Sequence, residues 1–166
     1  MPHDHNHQEA TAKDYVRFAA VLIGILLVSL IYELANGFSA RDFMRVFMGV
    51  FFLVFAAFKL LDLPGFVMSY IGYDIIAKRW MTYAYIYPFI ELALALGYFL
   101  KAESTNIFTL IFMAIGSTGV LQQLLRGSKI RCACLGTYIQ LPLTTVSLIE
   151  DLAMGIMALI LIIFKF

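Results

Sequence analysis

Charge is scarce in this chain. Of its 166 residues, 14% are Asp, Glu, Lys or Arg and 62% are hydrophobic. A soluble domain is about 25% charged and roughly 45–50% apolar. With a mean hydropathy of +0.87, the chain reads as an integral membrane protein, and the lipid bilayer is its first partner. Neither sign of charge dominates, with 12 Lys and Arg against 11 Asp and Glu. No basic tract stands out, so a nucleic-acid partner is not expected. Cysteine is scarcer still. Cys132 and Cys134 are the only two, which excludes a disulfide framework. Patterns of the GxGxxG, P-loop, HExxH, nucleophile-elbow and haem-attachment kinds are all missing, so hydrolase and nucleotide-driven readings lack support.

What is present is apolar length. A membrane span needs about 20 residues, and five runs qualify, at residues 15–34, 43–61, 81–100, 107–125 and 143–164. None alternates as a barrel strand does. The expected fold is therefore all-α: a four-helix transmembrane bundle over residues 43–166, one extra N-terminal transmembrane helix at 15–34, and a polar, His-containing tail at 1–14. Lys13 and Arg17 precede the first run as they would in a signal peptide. The run is long for one, however, and Glu33-Leu34-Ala35-Asn36-Gly37 is a poor cleavage site, so retention is expected. Fifteen Phe and nine Tyr suit a lipid-facing bundle with aromatic belts.

The connections carry local signals. Asn36-Gly37 closes the first helix. Residues 66–77 predict one short helix lying at the interface. Trp80, Tyr83, Tyr85 and Tyr87 predict an aromatic anchor. Ser104-Thr105-Asn106 offers a helix N-cap, and Pro142 marks the start of the last helix. Gly116-Ser117-Thr118-Gly119 permits close helix contact.

Five alternating spans place the tail, the 62–80 connection and the cysteine loop on one side. Lys13, Arg17, Lys59, Lys78, Arg79, Arg126, Lys129 and Arg131 fall there, and Arg41, Arg45, Lys101 and Lys165 on the other. By the positive-inside rule the cysteine side is cytoplasmic.

Cys132-Ala133-Cys134-Leu135-Gly136 is the segment richest in chemistry. Two thiols one residue apart close a strained, readily exchanged disulfide, or as thiolates they grip a soft metal such as Cu(I) or Zn(II). Arg126, Lys129 and Arg131 lie nearby in sequence, and positive charge raises a thiol's thiolate fraction. Two sulfurs alone leave zinc short of four ligands. His3, His5 and His7 in the tail are candidates to complete a metal set with Cys132 and Cys134. Inside the apolar runs, Glu91 follows Pro88 by three residues, and an intramembrane carboxylate is a functional candidate by default. Glu150 and Asp151 point about 100° apart on a helix. One of them is read as a partner for Lys59 and the other as a proton acceptor or metal ligand. Lys59 and Asp62, three apart, also suit a local ion pair. Met48, Met113, Met154 and Met157 are read as packing.

The order of Phe52 to Phe58, Lys59-Leu60-Leu61-Asp62, Tyr85 to Glu91, Cys132-Ala133-Cys134-Leu135-Gly136 and Glu150-Asp151 resembles the DoxX-like membrane proteins. Within them it resembles the redox-associated branch that includes the methylamine-utilisation protein MauE. The resemblance covers residues 43–165. It implies a four-helix core in a bacterial inner membrane, and Cys132, Cys134 and Gly136 stand where that branch carries Cys-x-Cys followed by Phe-Gly or Leu-Gly. It also implies thiol–disulfide handling that matures a thiol-bearing partner, as in the making of methylamine dehydrogenase, a disulfide-rich periplasmic enzyme. The site so implied is Cys132 and Cys134 with Arg131 favouring thiolate, and Glu91, Glu150 or Asp151 relaying protons. The chain departs from the branch in its extra first helix and His-bearing tail. It also has no second cysteine pair, so a partner must reload it. Two other functions are weighed beside this one: soft-metal binding and transfer to a metal-accepting partner, and a non-catalytic assembly subunit.

Overall fold

In lipid every backbone N–H and C=O must be satisfied within the segment, so long apolar runs become helices. A computed structural model describes residues 12–72, 74–126, 131–132, 141–142 and 145–164. The helices are α1 (Ala12–Asn36), α2 (Ala40–Leu61), α3 (Leu63–Tyr70), α4 (Ile75–Arg79), α5 (Met81–Phe99), α6 (Ser104–Leu125) and α7 (Thr145–Ile163). Between α6 and α7 lie two short strands, β1 (Arg131–Cys132) and β2 (Leu141–Pro142), paired antiparallel with Cys132 opposite Leu141.

Three helical stretches, Lys13–Asn36, Ala40–Leu61 and Ser104–Leu125, are long and apolar enough to cross a membrane. The chain is thus a multi-pass integral membrane protein. Helices α5 and α7 have 19 residues each, and in α5 the apolar sequence is diluted by Tyr83, Tyr85, Tyr87 and Glu91. The widest packing is of α2 on α5 and of α6 on α7, while α1 lies against α2. Outward faces are apolar, as lipid contact requires: Val16, Ile31, Leu34, Phe108 and Ile163 are each more than half exposed.

The core is aromatic. Met48, Phe52, Phe55, Ala56 and Lys59 share the buried face of α2, at the three- and four-residue steps of one helical stripe. Phe51 stacks on Phe55 with ring centroids 4.0 Å apart. Tyr87 bridges Tyr70 at 4.6 Å and Phe112 at 4.7 Å, joining α3, α5 and α6.

Several local expectations are corrected. The interfacial helix predicted over 66–77 is two helices. The first ends at Tyr70 with Ile71 in the cap position, and Asp74 caps the second, accepting from Ile76 N at 2.9 Å and Ala77 N at 2.7 Å. The segment is also less peripheral than predicted, with Phe66, Val67 and Tyr70 buried. The aromatic anchor divides. Trp80 and Tyr85 are exposed while Tyr87 is buried, because residues two apart on a helix face nearly opposite ways and Tyr83 and Tyr87, four apart, share a face. Ser104-Thr105-Asn106 is not a cap but the first turn of α6, with Thr105 and Asn106 buried and Glu103 in the cap position. Pro142 belongs to β2, and α7 begins at Thr145. Gly37 ends α1 as expected, with a φ of +91° that favours glycine.

The α5–α6 turn depends on Gly97. A Cβ there would collide with the Thr105 side chain, so a side chain at this position must displace Thr105 or part the two helices. Gly97→Val is expected to destabilise the protein by about 1–3 kcal/mol in thermal unfolding in micelles. Gly24→Ala, where a Cβ meets nothing within 4 Å, serves as the control and should be neutral or better. Equal effects at both sites would contradict this packing.

Candidate functional site

The site begins with the position of Lys59. It lies in the last turn of α2 on the stripe that carries Met48, Phe52 and Phe55, so its ammonium is delivered into the core. There Lys59 Nζ donates to Glu91 Oε1 of α5, and each side chain is only 5% exposed. The ammonium also lies 4.8 Å above the Tyr87 ring and 5.6 Å from that of Phe66, close enough for cation–π attraction. Glu91 is therefore held by one cation inside an aromatic cage.

This pair lines one wall of a cavity of about 40 Å³ that also meets Gly116 of α6 and Glu150 and Asp151 of α7. A water needs roughly 10–15 Å³ by this measure, so the cavity has room for a few. Among the described residues, Glu91 Oε2 and Glu150 Oε1 are buried with no hydrogen-bond partner. Buried acceptors are nearly always satisfied, by protein or by ordered water, which suits a small polar cavity. Gly116 keeps the wall thin: a Cβ there would lie 3.3 Å from Asp151 Oδ2.

Glu91, Glu150 and Asp151, singled out from sequence, are thus brought together. Although about 100° apart on α7, Glu150 and Asp151 both reach the cavity, because it lies along the broad α6–α7 contact. The predicted partners of Lys59 are corrected. Lys59 pairs with Glu91 rather than with Glu150 or Asp151, and Asp62, the local candidate, accepts from Gly65 N at 3.1 Å and caps α3. Sequence reasoning underrated Lys59. Its signal was there, since a lysine on an otherwise aromatic core stripe must find an anion.

The cysteine loop connects to this cavity through α3. The backbone of β1, which holds Arg131 and Cys132, packs against α3, and Phe66 of α3 lines the cavity. Cys134 and the tail residues His3, His5 and His7 lie outside the described residues. Among the described residues, no group of three or more His, Cys, Asp or Glu is placed to hold a metal ion. The metal set considered from sequence rests mainly on residues outside that description.

Breaking a buried ion pair strands a charge, whereas replacing both partners with apolar groups is often close to neutral. Lys59→Met alone should cost about 3–5 kcal/mol of stability, and Lys59→Met/Glu91→Met much less. Unfolding in micelles measures both, and simple additivity of the single variants would contradict the pairing.

No curated protein and no solved structure matches the chain. One family does: the model of the methylamine utilisation protein MauE matches residues 38–164, from just before α2 to the end of α7. That span contains every element of the cavity and the Cys-x-Cys loop, and leaves out α1. The chain belongs to the MauE family.

Proposed function

We propose that this protein is a thiol–disulfide redox protein of a bacterial inner membrane, supporting maturation of a partner in a methylamine-utilisation setting. Its core is a DoxX-like bundle of four spans, α2, α5, α6 and α7, with α1 as a fifth. The reading is carried by one observation. The Cys132 strand packs on α3, which borders a cavity holding Lys59, Glu91, Glu150 and Asp151. Cys132, the first residue of the Cys-x-Cys sequence, therefore lies one helix away from a cavity lined by four ionisable side chains.

The chemistry balances as follows. A partner thiolate attacks one sulfur of a Cys132–Cys134 disulfide, forming a mixed disulfide and releasing the other cysteine as thiolate. The partner's second thiolate then attacks the partner's own sulfur in the mixed disulfide and expels the bound cysteine of this chain as thiolate, so the partner gains a disulfide. Cys132 and Cys134 end as two thiols, having received two electrons and two protons. Arg131, adjacent to Cys132, favours the transient thiolate. Glu91, Glu150 and Asp151 supply and later collect the protons. A second disulfide-bearing protein takes the two electrons back and restores the pair, because this chain has no further cysteine to do so.

Disulfides persist on the oxidising side of the membrane, so the cysteine end faces outward in this reading, against the positive-inside count. Lys59 is locked to Glu91 and Arg131 adjoins Cys132. Setting both aside leaves six basic residues on the cysteine side against four on the other, so the outward placement rests on the redox chemistry alone.

Single substitutions test the exchange. Neither Cys132→Ser nor Cys134→Ser can form the internal disulfide, so neither should oxidise the partner; the remaining thiolate should instead attack the disulfide of the reloading protein and stay trapped with it as a reductant-sensitive adduct in cells. The double substitution should form none and should leave the partner's thiols reduced. An unchanged partner in the double variant would contradict the proposal. Stoichiometric Cu(I) or Zn(II) on the reduced protein, lost with both cysteines, would favour metal transfer instead. Glu91→Gln should slow exchange roughly 100-fold, the lower range for general acid–base catalysis, measured as the rate of partner oxidation.

A further inference from the structure

The end of the bundle away from the cysteine loop carries a second charged cluster. Glu103 Oε1, at the start of α6, accepts from Arg41 Nη2 at 2.9 Å and from Arg45. Asp42 accepts from Arg45 Nη1 at 3.3 Å and from Lys101 Nζ at 3.0 Å. The network clamps the first turn of α2 to the α5–α6 connection, where Lys101 holds a φ of +55°. Its three cations outnumber its two carboxylates, Asp42 and Glu103. Beside it is a pocket of about 410 Å³ lined by Ser39, Ala40, Arg41, Asp42, Arg45 and Lys101. Three of those side chains are cations and one is a carboxylate, while Glu103 lies outside the lining. Arg45 is 9% exposed, so its guanidinium is a fixed wall of the pocket, whereas the Lys101 side chain, 59% exposed, stays open to solvent beside its partner Asp42.

Exposed apolar side chains flank the lining residues along the chain. Phe38, Phe99 and Leu100 are 58%, 42% and 79% exposed, and each adjoins a lining residue or the α5–α6 turn in sequence. Guanidinium and ammonium groups together are the usual recognition set for phosphate. A basic pocket between spanning helices, edged by apolar side chains, suits a ligand with an anionic head and an acyl tail. We propose that this pocket binds the phosphate of an anionic phosphate ester at the membrane surface. A phospholipid headgroup and a soluble ester share that chemistry.

The test uses the full chain in zwitterionic micelles. Native mass spectrometry compares retention of phosphatidylglycerol with that of phosphatidylcholine, and glycerol 3-phosphate is added as a soluble competitor. Phosphatidylglycerol should be retained preferentially. Arg41→Gln/Lys101→Gln should weaken it by about fivefold for each cation removed, and Lys78→Gln/Arg79→Gln, outside this pocket, should not. Because the double variant also loosens the clamp, Ser39→Asp is the second probe. Asp is a good N-cap residue, so the start of α2 is kept while a negative charge enters the pocket, and retention should again fall. Competition by glycerol 3-phosphate would assign the site to phosphate esters in general, and failure to compete would assign it to the lipid. Equal retention of the two lipids, or equal loss in the Lys78/Arg79 variant, would overturn the proposal.

Discussion

The ion pair between Lys59 and Glu91 is the constraint on which the arrangement depends. In lipid there is little hydrophobic drive to bring helices together, so polar contacts and close packing set their register. A lysine and a glutamate inside the bundle are costly apart and tolerable only together. Once paired, they fix the end of α2 against the middle of α5. The rings of Phe55, Phe66 and Tyr87 then close around the ammonium. This draws α3 down onto the bundle and leaves the small polar cavity that α7 completes with Glu150 and Asp151.

The two ends of the bundle solve different problems. At the α3 end Lys59 and Glu91 are buried as a pair, with aromatic rings around the ammonium. At the other end Arg41, Arg45, Asp42, Lys101 and Glu103 form a partly exposed network. Exposed pairs of that kind add little stability on their own in water, but they clamp a tight turn whose close approach at Gly97 leaves no room for a side chain. The α2–α5 pair is thus pinned near both ends. The face between is filled by Phe51, Phe52, Phe55 and Tyr98.

Much of this was legible in the sequence, because helices in lipid follow from apolar length alone. Runs at 15–34, 43–61 and 107–125 became α1, α2 and α6, with shifts of a few residues at their ends. The family resemblance, read from Cys132 to Gly136 and from Glu150-Asp151, agrees with the match over residues 38–164. Glu91, Glu150 and Asp151 were legible as candidates because a carboxyl in an apolar run is expensive. Their shared cavity was not, since it depends on contacts between helices far apart in sequence. Lys59 was misassigned for the same reason: Asp62 is nearer along the chain, but Glu91 is where the helical stripe aims it. The break between α3 and α4 was missed because Asp74 acts through capping bonds that compete with a continuous helix, and composition does not record that competition.

The central claim is that Cys132 and Cys134 form a redox pair on the oxidising face of the membrane. Labelling of intact cells with a membrane-impermeant maleimide, with and without prior mild reduction, tests it most directly. The account predicts that label enters only after reduction and without lysis. Label that enters only after lysis would place the thiols in the cytoplasm and contradict it.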